Sequence, residues 1–85
     1  MKCLLISIGQ DEKTTNLMNN LRENKISCFA MDKVSKALEY ANSYSIPFVV
    51  FIGEDEIKKK KFKLRDMKTG KESLLGIKEI IKKLG

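Results

Sequence analysis

The 85-residue sequence predicts an α/β fold, a parallel three-stranded core with an antiparallel hairpin added at its edge. Three observations carry this. Residues 3–8, 26–31 and 48–52 are short, nearly continuous apolar runs, the pattern of strands covered on both faces. The two intervals between them place apolar residues at helical spacing. Residues 61–65 then switch to strict alternation, the pattern of a strand with one buried face.

The first run, Cys3-Leu4-Leu5-Ile6-Ser7-Ile8, ends at Gly9. Asp11 is placed to cap a helix, and Glu12 in its first turn suits the helix dipole. Leu17, Met18 and Leu21 share one face of that helix with Thr14, and Asn24 is the expected stop. After the strand at 26–31, Asp32 is the expected N-cap of a second helix. Val34, Ala37, Leu38 and Ala41 follow at i, i+3, i+4 and i+7. Pro47 pushes Ser45 and Ile46 toward extended geometry and ends that segment. Phe48-Val49-Val50-Phe51-Ile52 is the most apolar stretch and is expected at the centre of the sheet. Right-handed crossovers arrange strand–helix–strand–helix–strand into a parallel core.

Beyond Gly53, Phe62 and Leu64 face the core while Lys61, Lys63 and Arg65 share the opposite face. Lys68-Thr69-Gly70-Lys71 is a turn with glycine where positive φ is cheap, and residues 72–75 pair back as the second arm. Ile77, Ile80, Ile81 and Leu84 mark a last amphipathic helix, closed by Gly85. The length suits one small domain, residues 1–85.

Several chemistries are disfavoured. The chain has no His, and so lacks the commonest general base and the commonest metal ligand. Its serines and cysteines have no histidine as a partner base, and no metal-ligand spacing is present. Gly9–Thr15, "GQDEKTT", lacks the second glycine of a phosphate loop. Cys3 and Cys28 lie in apolar runs and read as buried thiols. No apolar run approaches the ~18 residues of a membrane span and the N-terminus lacks a signal-peptide pattern, so a cytoplasmic protein is expected.

The charge is informative. Net charge is +6; residues 1–53 contribute +1 and residues 54–85 contribute +5. A concentrated basic surface suits an anionic partner, nucleic acid first. Edge strands also carry lysines simply to block edge-to-edge pairing. Two features favour a binding role. Lys61, Lys63 and Arg65 form a row whose spacing resembles that of successive phosphates, and the planar fork of Arg65 can read a base edge. Glu54, Asp55 and Glu56 beside that row are poor phosphate ligands but good acceptors for an unstacked base.

With "CLLISIG", "LREN", "ALEYANSYSIPFVVFIGEDEI" and "FKLRDMKTGKE" in view, the chain resembles the anticodon-binding domain of class IIa aminoacyl-tRNA synthetases over essentially its whole length, and within that family the C-terminal domain of the histidyl group. The resemblance implies a three-layer α/β/α domain with a five-stranded mixed sheet, in the order β-α-β-α-β-β-β-α. It implies a tRNA anticodon loop as partner, bound with its bases splayed. By alignment with the threonyl group it assigns base contacts to Glu56 and Arg65, and places Lys33 in the same region. Lys58, Lys59, Lys60, Lys61 and Lys63 join them as expected phosphate contacts on electrostatic grounds. Two positions depart from the histidyl pattern: Lys58–Lys61 fill a turn that often holds glycine, and Arg65 stands where lysine is commoner.

Amino-acid activation in the family uses a separate, larger catalytic domain. Aminoacylation is therefore not expected of these 85 residues, and ATP and magnesium would belong to that other domain, with no cofactor here. The expected partners are the tRNA and the catalytic domain of the parent ligase, with the isolated domain a monomer that binds no membrane. Two alternatives stand beside this reading. One is a stand-alone regulatory or interaction module of the same fold. The other is a small receiver-like α/β domain whose acidic pocket uses Asp11, Glu12 and Asp55.

Overall fold

The computed structural model describes residues 2–9, 11–53, 58–59 and 61–84, with only the backbone of Asp11. The elements run β1 (Cys3–Ser7), α1 (Asp11–Glu23), β2 (Cys28–Met31), α2 (Val34–Ser43), β3 (Phe48–Ile52), β4 (Phe62–Asp66), β5 (Glu72–Leu75) and α3 (Ile77–Leu84). The sheet order is β2-β1-β3-β4-β5. β1 pairs in parallel with β2 and β3, while β4 pairs antiparallel with β3 and β5. The expected five-stranded mixed sheet and element order are both present.

Side chains alternate between two cores. Cys3, Leu5, Val50, Ile52, Phe62 and Leu64 point to one face, where Leu17 and Leu21 of α1 and Ile80 and Leu84 of α3 cover them. Leu4, Ile6 and Val49 point to the other, under Ala37 and Ala41 of α2. β1 is buried along its whole length, which is why it needs an apolar residue at nearly every position. The small Ala37 and Ala41 let α2 approach β1 and β3 closely.

Both α1 and α2 end in the same way. The Ile26 N–H donates to the Leu21 carbonyl (3.0 Å) and the Lys25 N–H to the Arg22 carbonyl (2.9 Å). After α2, the Ile46 N–H donates to the Ala41 carbonyl (2.9 Å) and the Ser45 N–H to the Asn42 carbonyl (3.4 Å). Each is a Schellman motif, with Lys25 (φ 62°) and Ser45 (φ 54°) in the left-handed position. The following isoleucine is buried in the same core cluster as its helical partner. This corrects three expectations. The reversal is made at Lys25, one residue beyond Asn24. Ile26 is consumed by the motif, so β2 begins at Cys28. The N-cap of α2 is Lys33, not Asp32, because the Lys33 carbonyl accepts the first helical bond, from Ala37 (2.9 Å). Val34, placed by its spacing on the buried stripe, is 38% exposed at the open end of α2. Gly85 lies outside the described residues.

Cys3 and Cys28 are buried free thiols, in register on neighbouring strands. Burial, reinforced by the neighbouring Cys28, pushes the Cys3 thiol up to about 12. Burial also raises Cys28, with Arg22 acting in the opposite direction.

Two outcomes are expected. Lys25→Gly and Ser45→Gly should each raise the urea-unfolding free energy by ~0.5–1 kcal/mol, because a side chain at positive φ is strained there. Cys3 should contribute stability that is constant below its unfolded value of 9.0 and is lost as pH rises toward about 12. Urea midpoints of wild type and Cys3→Ala, compared between pH 8 and pH 11, should therefore converge as pH rises.

Candidate nucleic-acid interface

The candidate surface begins with the alternation of β4. Phe62 and Leu64 are buried beneath the α1/α3 layer. Lys63 and Arg65 consequently emerge on the α2 side, both half-buried, and Lys61 is exposed just before the strand. α2 rests on β1 and β3, and no other described helix lies over β4 and β5 on this face. β4 and β5 thus form an open floor beside α2.

Register builds that floor in two transverse rows. Phe29, Leu4, Val49, Arg65 and Glu72 align across all five strands, as do Met31, Ile6, Phe51, Lys63 and Leu74 across the next row. The Asp66 N–H donates to the Lys71 carbonyl (2.9 Å), which makes Arg65 and Glu72 a non-hydrogen-bonded pair. Such pairs bring side chains closest. Leu74, opposite Lys63, is 45% exposed, an apolar residue set among charged ones.

Arg65 has a specific electrostatic feature. Its Nε is buried and has no hydrogen-bond partner among the described residues. An unsatisfied buried donor costs ~1–3 kcal/mol, and the guanidinium supplies donors in a fixed fork. Strain, a bound water or ion, or a ligand accounts for such groups in folded chains.

The hairpin that carries this floor is tied by its own turn. The Asp66 carboxylate (Oδ1) accepts from the Lys68 N–H (2.9 Å) and the Thr69 N–H (3.4 Å). The Gly70 N–H donates to the Asp66 carbonyl (2.7 Å), with Gly70 at φ +76°. Asp66 is therefore occupied in structure, while Lys68 and Lys71 project at the tip.

Among the expected contact residues, Lys61, Lys63 and Arg65 are brought together, and Lys58 and Lys59 are exposed on the approach to β4. Glu56 and Lys60 lie outside the described residues, as do Glu54 and Asp55. Lys33 is not beside Arg65. It begins α2, next to β2, and β2 and β4 are three strand spacings apart, about 14 Å. Lys33 shares a flank of α2 with Lys36, Tyr40 and Tyr44, which follow at helical spacings of three, four and four.

The aromatic residues of that flank join the surface only through the fold. Phe29 and Tyr40 stack with ring centroids 6.2 Å apart, and Tyr40 meets Tyr44 at 4.5 Å. The i, i+4 spacing of the two tyrosines was the available signal; the approach of Phe29 is nonlocal. For the receiver-like alternative, Asp55 and the Asp11 side chain lie outside the described residues. Among the described residues, no cluster of three or more Cys, Asp or Glu could hold a metal ion. An apolar cavity of ≈ 550 Å³ lies between α1 and α3, on the sheet face opposite the basic row. No described helix is long and apolar enough to cross a membrane.

Comparison with known proteins gives a consistent result. The family described as "Anticodon binding domain" matches residues 2–85. The histidine–tRNA ligase of Finegoldia magna is 38% identical over 86 residues, covering 96% of this chain and 20% of that protein. That of Clostridium acetobutylicum is 40% identical over 83 residues, covering 93% and 19%. The chain thus spans about a fifth of the length of these relatives. In fold it is similar to apo histidyl-tRNA synthetase of S. aureus, with TM-score 0.86, 20% identity, and coverage of 100% of this chain and 26% of that one. It is equally similar to the RNA-binding domain of threonyl-tRNA synthetase from Cryptosporidium parvum, with TM-score 0.86, 20% identity, and coverage of 98% and 22%.

Replacing Arg65 by an apolar isostere removes the unsatisfied donor and keeps the packing of the stem. Arg65→Met is expected to raise stability by ~1 kcal/mol, read by urea unfolding. A loss of stability instead would mean that Arg65 is held by internal contacts.

Proposed function

The chain belongs to the anticodon-binding-domain family, and on that premise we propose that it recognises the anticodon of tRNA as part of a histidine–tRNA ligase. The observation that carries this reading is the row Lys61–Lys63–Arg65 on a sheet face that no described helix covers, with the Arg65 Nε buried and without a partner among the described residues. Support for the histidine identity comes from relatives 38% and 40% identical over nearly all of this chain.

The division of labour follows from the chemistry. Lys58, Lys59, Lys61 and Lys63 are point charges that neutralise phosphates and carry little sequence information. Arg65 presents a fork that pairs with adjacent acceptors on a base edge. Leu74 offers an apolar surface beside it for an unstacked base. Glu56 and Lys60 complete the proposal as acceptor and phosphate contact. β4 and β5 hold Lys63, Arg65 and Leu74 at fixed spacing, so little ordering entropy remains to be lost there on binding. Activation of the amino acid and transfer to tRNA are assigned to the rest of the ligase, which this surface would serve by positioning the anticodon loop.

RNA hairpins carrying the histidine anticodon or a scrambled loop separate the roles. Lys63→Ala should weaken both hairpins alike and reduce the salt slope by about one. Arg65→Met should cost ~1–3 kcal/mol for the histidine loop and much less for the scrambled one. Equal binding of both loops by wild type, with equal losses in both variants, would reduce the surface to a general polyanion patch.

A further inference from the structure

The aromatic residues on the far flank of α2 form a second surface. Phe29 is 46% exposed and Tyr44 is 68% exposed, while Tyr40 is anchored in the core between them. Phe29 and Tyr40 are stacked within 23° of parallel, and Tyr40 and Tyr44 are tilted by 34°. The result is a short ladder of rings running from the edge strand β2 up the side of α2. Its core anchoring fixes the rings in advance, and its two ends remain open.

The surroundings of the ladder select the occupant. Lys33 and Lys36 continue the same helical stripe and are exposed. Asp32 and Glu39 are the neighbouring acids, so the flank is mixed in charge but offers cations in line with the rings. Exposed rings with adjacent ammonium groups match an unpaired nucleotide: the base stacks and the lysine meets its phosphate. Phe29 also lies in the same transverse row as Arg65, with only Leu4 and Val49 between them under α2. The ladder and the basic row are therefore the two uncovered ends of one sheet face, about 14 Å apart.

We propose that Phe29, Tyr40 and Tyr44, with Lys33 and Lys36, form a stacking platform for an unpaired RNA base, separate from the Arg65 row. A single-stranded loop engaged at Arg65 would reach it by passing over α2. The platform would read no sequence, because every base has a stackable face. It would select unpaired over paired RNA. This inference rests on the chain binding RNA, as proposed above.

The chain has no Trp and two Tyr, Tyr40 and Tyr44, so its intrinsic emission reports on this platform alone. The full chain is titrated with a hairpin carrying an open seven-nucleotide loop, and with a blunt RNA duplex of equal charge. The open loop should quench tyrosine emission and the duplex should not. Tyr44→Leu should lower affinity for the loop about tenfold, Tyr44→Phe should retain it, and neither should change the salt slope. Lys63→Ala should lower the slope and keep the quench. Binding that depends on Arg65 but leaves tyrosine emission and the Tyr44→Leu affinity unchanged overturns the platform and spares the anticodon reading. Absence of any RNA binding overturns both. An emission change that follows protein concentration without RNA would assign the ladder to contact between copies of this chain and overturn the platform as well.

Discussion

One helix cannot cover five strands. An α-helix with its side chains is ~10–12 Å across and strands are ~4.8 Å apart, so a single helix shields two of them. On one face of this sheet α1 and α3 share the work, and the larger core forms there. On the other, α2 sits over β1 and β3 alone among the described helices. β4 and β5 are left open on one side of α2 and the edge of β2 on the other. Both the basic row and the aromatic ladder exist because of that shortage of cover.

The strands beneath α2 convert this geometry into a rigid scaffold. Leu4 and Val49 link Phe29 to Arg65 through fixed register, and both are fully buried. Two Schellman motifs return the chain into β2 and β3 within a few residues. The backbone strain at Lys25 and Ser45 is tolerated because Ile26 and Ile46 are locked into the core immediately afterwards. The Asp66 turn fixes β5 against β4 in the same way. The groups proposed for recognition are thus carried mainly on strands and a helix, where spacing is well defined.

Under the proposed function, Arg65 sets folding against binding in a single side chain. It stands in register with Val49, while its Nε is buried without a partner among the described residues. Such a local inconsistency is expected at a site that awaits a ligand rather than at a site selected for stability. The paired buried thiols on the opposite face are the contrasting case. Their protonated forms suit an apolar core, and burial keeps them protonated.

Much of this was legible along the chain. Apolar runs marked β1 and β3, helical spacing marked α1, α2 and α3, and alternation marked β4, because burial writes the period of each element into the sequence. That alternation also separated Phe62 and Leu64 from Lys63 and Arg65. Local chemistry was less decisive at helix ends, where Lys25 and Lys33 took places expected of Asn24 and Asp32. Spatial neighbours depended on tertiary structure. The order β2-β1-β3-β4-β5 sets Lys33 apart from Arg65, sets Glu72 opposite Arg65, and brings Phe29 to Tyr40. A sequence determines which face a residue prefers; strand order and the reach of a helix decide which preferences remain uncovered.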